Sequence, residues 1–467
     1  MLFDHDEHKR AAQLSSAFIE RYHDSLPERA VFPDIDREAI RKVLAMPMPD
    51  KGCDIEELFE ELETFIVPNS THPAHPRFLP YVMPSPNAIS PYAEMAASVL
   101  NQGCALWTLS PAANAIEQKV VRWLADIFEL GDSAGGLITS GGSMANLIAL
   151  TAARDWKLGD QARTKGLQGC KSPLVLYTSD EVHSSIDKAV SALGIGVDHL
   201  RHIPSDENFR IRTDLLMAAV EEDIKNGLTP FCVVASAGTV TTGAIDPIAE
   251  VSKLCQSNGL WLHVDGAFGA LAALSERFRE PMSAIGLADS VSLDPHKFLF
   301  TSFEAGCVLV RDEATLRHSF NFSPSYLALE QDPDFINYAD YGPQLSRSFK
   351  ALKVWWSLRR FGRETYSEVI DRMADLAAYM GSVAEQRSEF ELLAPVVFNC
   401  VCFRLRHLDD EGNRVVLRQL VESGFAFLGP ASVKGRFGMR ACFMNLRTRT
   451  EDIELIMNEL VRLAGSD

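Results

Sequence analysis

The chain has 467 residues, of which 46% are hydrophobic and 23% charged, the balance of a folded protein rather than a disordered one. Its formal net charge of −18 would repel a polyanion, so we expect no nucleic-acid partner. At roughly 150 residues per domain, the length predicts two or three lobes.

Residues 1–85 are charge-rich, and apolar residues recur at helical spacing in AAQLSSAFIERYHDSL and IEELFEELETFI. The prolines of VPNSTHPAHP end that pattern, because each removes a backbone donor and restricts the residue before it. We therefore predict an N-terminal helical segment here. The first residues, MLFDHDEHKR, lack the basic-then-apolar order of a signal peptide, and no apolar run approaches the length of a membrane span.

Residues 86–350 alternate between strand-like and helical patterns. Apolar runs predict strands in LVLYTS, FCVVASAG, LWLHVDGA, SVSLD and GCVLVRD, with helical stretches such as DLLMAAVEEDIKNG and DPIAEVSKLCQSNG between them. This alternation predicts an α/β fold with a mostly parallel sheet and helices on both faces.

Residues 351–467 begin with a long helical pattern, continue with short strands in FELLAP, NCVCFRL and RFGMRACFMN, and close with a helix in EDIELIMNELVRLAG. We predict a small C-terminal α+β domain. The nine cysteines of the whole chain are scattered, without zinc-site spacing, and their odd number argues against a disulfide framework. We therefore expect no metal site and a reducing, cytoplasmic setting.

A lysine follows one of the predicted buried strands, in Asp294-Pro-His296-Lys297-Phe. Burying an unpaired ammonium is costly, so a lysine at such a strand end persists as a reactive amine or in a Schiff base. A surface lysine after an edge strand is an equally good interpretation of this pentapeptide alone. Asp265 ends the preceding predicted strand, about one helix-plus-strand unit earlier, so a parallel sheet would bring both residues to the edge where ligands bind.

Two further strand ends carry polar groups. Gly142 and Ser143 lie at a strand-to-helix turn, where backbone N–H groups and the helix N-terminus suit a phosphate. His183 follows the strand LVLYTS. A phosphate cradle, a carboxylate, an imidazole and a lysine at one sheet edge match pyridoxal phosphate chemistry better than other classes.

These residues resemble the group II pyridoxal-phosphate decarboxylases, which include aromatic-amino-acid, histidine and glutamate decarboxylases. The similarity runs from HPRF to the closing helix and includes TSGGSMANLIALTAAR, HSSIDKA, ASAGTVTTGAID, WLHVDGAFG and DPHKF in the family's order. It implies the fold type I of pyridoxal-phosphate-dependent enzymes, the cofactor itself, an L-amino acid substrate and a homodimer with shared active sites.

The resemblance also implies the roles of individual residues. Lys297 would form the internal aldimine, Asp265 would pair with the pyridine nitrogen, and His183 would stack on the ring. The other implied cofactor contacts are Gly142, Ser143, Thr239, Ala267, Asp294 and His296.

Tyr326 matches the tyrosine of the family's mobile loop that is assigned to protonate the quinonoid. The chain departs from many relatives at Asp294, where they have asparagine; the carboxylate would either shift the aldimine pKa or find another partner. Met144 stands where relatives often carry an acidic residue.

Trp107 lies in a stretch that resembles the apolar pocket wall of the aromatic branch, which favours an aromatic substrate because such a wall cannot repay the desolvation of a second carboxylate. A structural role for this tryptophan is as compatible with its residue type. Ser85 is a further candidate substrate residue, and Arg440, which resembles a recurrent arginine of the small domain, keeps acidic substrates open.

We therefore expect decarboxylation of an L-amino acid, most simply an aromatic one, to a primary amine. The alternatives are an aldehyde-forming relative, a decarboxylase of another amino acid, a carbon–carbon lyase that acts on a phosphorylated amino alcohol, and a non-catalytic scaffold. Retention of both Lys297 and Asp265 argues against the scaffold.

Overall fold

The structure is a computed structural model and describes residues 4–322 and 335–465. The α-helices are α1 His5–Ser25, α2 Arg37–Ala45, α3 Ile55–Glu61, α4 Ser90–Leu100, α5 Pro111–Ile127, α6 Gly142–Leu158, α7 Asp160–Lys165, α8 Ser185–Ala192, α9 Thr213–Lys225, α10 Ile248–Asn258, α11 Glu276–Met282, α12 Pro295–Phe298, α13 Ala314–Phe320, α14 Ala351–Gln386, α15 Asp410–Glu422 and α16 Thr450–Ala464. The strands are β1 Phe78–Leu79, β2 Gly135–Thr139, β3 Leu174–Ser179, β4 Leu200–Ile203, β5 Thr229–Ser236, β6 Trp261–Asp265, β7 Ser290–Leu293, β8 Gly306–Val310, β9 Phe390–Leu392, β10 Cys400–Leu405, β11 Phe427–Val433 and β12 Arg436–Cys442.

The chain divides into two compact units. The first contains residues 1–85, 379–393 and 401–467, and the second contains residues 86–378 and 394–400. The three-segment division expected from the sequence stays a prediction.

The second unit is built on a sheet that, in the described part of the chain, has seven strands in the order β2-β8-β7-β6-β5-β3-β4. The pairs β3/β4, β3/β5, β5/β6 and β6/β7 are parallel. Strand β8 is antiparallel to both β7 and β2, so every strand except β8 points the same way. The predicted α/β class with a mostly parallel sheet is confirmed; β2 is the strand expected before Gly142, and β4 was not predicted.

Helices cover both faces of this sheet, because successive side chains of a strand point to opposite sides. On β3, Leu174 and Leu176 pack in a buried apolar cluster with Ile186 of α8 and Leu150 of α6. The hydroxyl of Tyr177, from the opposite face, donates a hydrogen bond to Asp223 of α9 over 2.8 Å. Because both faces of these strands are buried, their sequences are continuous apolar runs.

Helix α10 shows how local sequence sets an element's ends. It begins after Pro247, whose fixed φ suits a helix start, and ends at Gly259, which has a left-handed φ of 61°. Helix α14 is interrupted at Gly362, where φ is 68°. Among the described residues, no helix is both long and apolar enough to cross a membrane.

In the first unit, the sheet has the order β1-β11-β12-β10-β9. Strand β1 is parallel to β11, whereas β11 and β12, and β9 and β10, pair in antiparallel fashion. Helices α15 and α16 pack together, and α15 also contacts β11 and β12. The predicted C-terminal strands and final helix are present, and β11 and α15 were not predicted.

Candidate active site

The candidate residues of the second unit follow the ends of strands that all point the same way. Gly142 comes after β2, His183 after β3, Thr239 after β5, Asp265 ends β6, and Lys297 comes after β7. Because the carboxyl ends of these strands share one edge of the sheet, the topology places all five there, which is where open α/β sheets bind ligands.

Lys297 lies on the short helix α12, which follows the end of β7 directly in the chain. Its Nζ is 3.1 Å from Oδ2 of Asp294, and the lysine side chain is 19% exposed whereas the aspartate is 3% exposed. Asp294, which stands where many relatives have asparagine, is thus paired with the candidate reactive amine of Lys297. The other carboxylate oxygen, Oδ1, is buried and has no hydrogen-bond partner among the described residues.

His296 is held by the loop that follows α12. Its Nδ1 lies 2.8 Å from the carbonyl oxygen of Ala305, and its Nε2 lies 3.7 Å from Oδ2 of Asp294. Burial lowers the pKa of His296, and the Asp294 carboxylate opposes that shift. The imidazole therefore presents a fixed edge toward the strand end.

Asp265 is buried at the end of β6 and accepts three hydrogen bonds. Oδ1 accepts from the Ser292 hydroxyl at 3.1 Å and from the Ala267 backbone N–H at 3.2 Å. Oδ2 accepts from Nδ2 of Asn146 at 3.0 Å. The carboxylate is thereby fixed in position and keeps lone pairs for a further donor.

His183 is held through its Nδ1, which lies 2.8 Å from the Ser185 hydroxyl and accepts from the Ser185 backbone N–H at 3.2 Å. His183 is nevertheless exposed to solvent. Its pKa is lowered, first because surrounding protein desolvates the ring; the Asp265 charge raises the pKa and the Lys297 charge lowers it further. His183 is thus within electrostatic reach of both other candidates.

The turn between β2 and α6 is tightly constrained. A Cβ at Gly142 would lie 2.7 Å from Cβ of Ala267 and 3.0 Å from Oδ2 of Asp294. Ser143 follows in the first turn of α6, a 17-residue helix whose first backbone N–H groups have no partner within the helix. Such an N-terminus suits a phosphate group.

Thr239 is buried in the turn after β5, where its hydroxyl lies 3.0 Å from that of Thr242 and accepts from the Ala244 N–H at 3.1 Å. Asp246, which its sequence context does not mark as a site residue, anchors this segment. Its carboxylate accepts from the backbone N–H groups of Ser236 and Ile211, both at 2.7 Å. Burial raises the pKa of Asp246 to about 6.

Trp107 lies in a short 3-10 turn of the second unit. Its ring stacks on Phe335 with centroids 3.6 Å apart and planes 4° apart, and its backbone N–H donates to Oδ1 of Asn337 at 2.9 Å. The two aromatic rings form one apolar surface. This contact could not be predicted from the sequence, because Phe335 is far from Trp107 in the chain.

Ser85 and Arg440 belong to the first unit, whereas the strand-end candidates belong to the second. The Ser85 hydroxyl accepts from the Leu446 N–H at 2.9 Å, and the Arg440 guanidinium donates to the Pro80 carbonyl at 3.2 Å. Tyr326 lies outside the described residues.

Taken together, the second unit provides an accessible lysine amine, a fixed carboxylate, an imidazole and a helix N-terminus at one sheet edge. This donor set fits pyridoxal phosphate, which needs an amine for its aldehyde, an acceptor for its ring nitrogen and N–H donors for its phosphate.

Comparisons with known proteins agree with this fit. Residues 38–406 match the model of the pyridoxal-dependent decarboxylase conserved domain. The chain is 35% identical over 448 residues to an aromatic-L-amino-acid decarboxylase of Bacillus atrophaeus, covering 94% of this chain and 92% of that protein. It is 30% identical to a phenylacetaldehyde synthase of Arabidopsis thaliana, covering 94% and 91% of the two chains. The crystal structure of Oryza sativa TDC with PLP and tryptamine superposes with a TM-score of 0.93 and 27% identity, covering 100% of both chains.

Proposed function

The chain belongs to the pyridoxal-dependent decarboxylase family and is a pyridoxal-phosphate-dependent carboxy-lyase, and we propose that its substrate is an aromatic L-amino acid, which it converts to the primary amine and CO2. The observation that carries the choice of substrate is the stacked pair of Trp107 and Phe335. An apolar aromatic surface favours an aromatic side chain and offers nothing to a second carboxylate.

We propose the cofactor contacts that the family resemblance implies, and the geometry of the second unit supports them. Lys297 would supply the amine that holds the cofactor, Asp265 would accept from the ring nitrogen, and His183 would stack on the ring. When bound, the cofactor withdraws the electrons that the breaking bond to the carboxylate releases. The protein's part is to hold that ring, to orient the bond that breaks and to return a proton.

The phosphate is held, in this proposal, by the N-terminus of α6 at Gly142 and Ser143 and by His296. Ala267 would pack beneath the ring, and Thr239 would contact the cofactor from the neighbouring turn. Asp294, 3.1 Å from the Lys297 amine, is the counter-charge of that lysine.

The proton that returns to the substrate Cα comes, in this proposal, from the hydroxyl of Tyr326. A Tyr326→Phe variant should still bind the cofactor, with its visible absorbance unchanged, but divert product from amine to aldehyde. Full amine yield from this variant would show that the proton has another source.

The first test of substrate class is CO2 release and amine detection by the purified, pyridoxal-phosphate-loaded protein. The panel covers L-amino acids with aromatic, imidazole, acidic, basic and sulfinate side chains. We expect aromatic substrates to be preferred. Preference for an acidic or basic substrate would overturn the assignment of Trp107 and leave the decarboxylase chemistry in place.

A second candidate is aldehyde formation, in which decarboxylation is coupled to oxidative deamination by molecular oxygen. The similarity to a phenylacetaldehyde synthase favours including it. We rank it second because such branches commonly replace the loop tyrosine or the stacking histidine, and this chain keeps Tyr326 and His183. Measuring amine, aldehyde and oxygen consumption in the same reaction separates the two.

We also propose a cytoplasmic homodimer. In the second unit, α4 exposes a stripe of apolar side chains, Tyr92, Met95 and Val99, at helical spacing, and in the first unit Met46 and Met48 are exposed. Contiguous exposed apolar residues favour burial against a partner. Light scattering coupled to size exclusion would contradict the dimer if it gave a 51.6 kDa particle. The cysteines form no disulfide among the described residues, which suits a reducing compartment.

A further inference from the structure

Behind Asp265 lies a buried set of hydrogen bonds centred on Asn146 of α6. Nδ2 of Asn146 donates to Oδ2 of Asp265 at 3.0 Å and to the Ser185 hydroxyl at 2.9 Å. Oδ1 of Asn146 lies 2.9 Å from Nε2 of His263, which occupies β6 two residues before Asp265. Asn146 is 1% exposed and His263 is fully buried. Both amide hydrogens and the amide oxygen are therefore engaged.

The direction of each hydrogen bond follows from the carboxylate. Because Asp265 only accepts, the amide must turn its nitrogen toward Asp265 and its oxygen toward His263. His263 must then carry its proton on Nε2, which leaves Nδ1 to accept from the Ser290 hydroxyl at 2.9 Å. The Ser290 oxygen in turn accepts from the indole N–H of Trp261 at 2.8 Å.

His263 keeps this arrangement because it is neutral. Burial lowers its pKa to about 4, and the Asp265 charge opposes that shift without overcoming it. A neutral imidazole has one donor and one acceptor nitrogen, so the tautomer set by Ser290 allows a single orientation of the Asn146 amide. The Ser185 hydroxyl, which contacts both the amide and Nδ1 of His183, uses the second amide hydrogen.

We propose that Asn146 is a positioning residue that fixes the Asp265 carboxylate for the ring nitrogen of the cofactor, and that His263 locks the amide in this orientation. The inference rests on the role proposed above for Asp265. A side chain at this position must donate twice and accept once within a closed space, and the asparagine amide does so. Leucine removes all three bonds, whereas aspartate replaces both donors by acceptors and faces a second carboxylate.

The test compares two ligands, pyridoxal phosphate and its 1-deaza analogue, in which a ring C–H replaces the nitrogen. Dissociation constants are measured by equilibrium dialysis for the full-length wild type and for Asn146→Leu. We expect Asn146→Leu to weaken binding of pyridoxal phosphate by about tenfold or more, the effect of losing a hydrogen bond to a charged group, and binding of the analogue by less than about threefold. Equal weakening for both ligands would overturn the inference, because a merely structural role does not depend on the ring nitrogen.

Asp265→Asn separates this inference from the role on which it rests. If Asp265→Asn weakens binding of pyridoxal phosphate more than binding of the analogue and Asn146→Leu does not, the Asn146 inference fails while the Asp265 role stands. If Asp265→Asn weakens binding of both ligands equally, the Asp265 role itself fails.

Asn413→Leu is the matched control. Asn413 is another fully buried asparagine whose amide donates to backbone carbonyls and accepts from the Leu405 N–H, but it lies in the first unit. We expect it to lower stability without changing the ratio of the two dissociation constants. Should Asn146→Leu fail to fold, the isosteric Asn146→Asp is measured instead, with the same expected discrimination and the same refuting result.

Discussion

Removal of the buried Arg347 guanidinium should destabilise the second unit. Its guanidinium pairs with the carboxylate of Glu117 and donates to the carbonyl oxygens of Cys104 and Ile138, both at 2.9 Å. The same group lies over the ring of Tyr338, 4.7 Å from its centroid. The two charged side chains are 5% and 1% exposed. Burial works against the charged form, but the Glu117 carboxylate outweighs it and raises the pKa of Arg347.

Arg347→Met should lower the free energy of unfolding by about 3–5 kcal/mol, because it leaves a buried carboxylate without its counter-charge. Glu117 would keep the Ile138 N–H donor at 2.9 Å, which is too little to compensate for the loss of a cation. The loss is read from the midpoint of urea unfolding, followed by tryptophan fluorescence at a fixed protein concentration.

The double variant Arg347→Met with Glu117→Leu tests the reasoning. Removing both charges leaves no uncompensated ion, so the double variant should lose less than half of what Arg347→Met alone loses. If the single variant unfolds at the wild-type midpoint, or the double variant is no more stable than the single one, the buried pair is not the cause. Because Arg347 holds the carbonyl of Cys104, the single variant should also loosen the turn at Trp107.

Three further outcomes are expected. Lys297→Ala should abolish both turnover and the visible absorbance of the loaded protein, as a spectrum and a CO2 assay would show; absorbance that survives would mean another amine holds the cofactor. Gly142→Ala places a Cβ 2.7 Å from Ala267 and should weaken cofactor binding about tenfold in dialysis, whereas Gly103→Ala, which meets nothing within 4 Å, should not. His263 has a pKa of about 4 in the folded protein and 6.5 in the unfolded chain. The stability that its neutral form contributes is therefore complete above pH 6.5 and is lost as the pH falls toward 4. Urea unfolding at several pH values should show that the free energy of unfolding falls less with acid in His263→Gln than in the wild type.

The sheet and the convergence of candidate residues could be predicted because they follow from local rules. A buried parallel strand has a recognisable apolar run, and its carboxyl end is fixed by where that run stops. Asp265 and Lys297 each follow such a run, so the topology rule alone brings them to one edge.

The partners of those residues could not be predicted, because they depend on side-chain positions across several elements. The sequence left the role of Asp294 open, and the structure pairs it with Lys297. Asn146 lies in the motif TSGGSMANLIALTAAR, but the spacing of that motif does not indicate that Asn146 contacts both Asp265 and His263. The alternation of His263 and Asp265 along β6 was the available signal, since residues two apart on a strand share a face.

The substrate question turns on residues outside this buried set. Relatives named aromatic-L-amino-acid decarboxylase and phenylacetaldehyde synthase are 35% and 30% identical to the chain over more than nine tenths of it, so overall identity does not decide the reaction's outcome. Residues that hold the cofactor serve every substrate equally, so Asn146→Leu should lower kcat/KM for all accepted amino acids by the same factor. Trp107→Ala removes one face of the aromatic pair and should lower kcat/KM for aromatic substrates relative to the others. If Trp107→Ala instead lowers kcat/KM by the same factor for every substrate, the tryptophan supports the fold of its turn and the specificity is determined elsewhere in the chain.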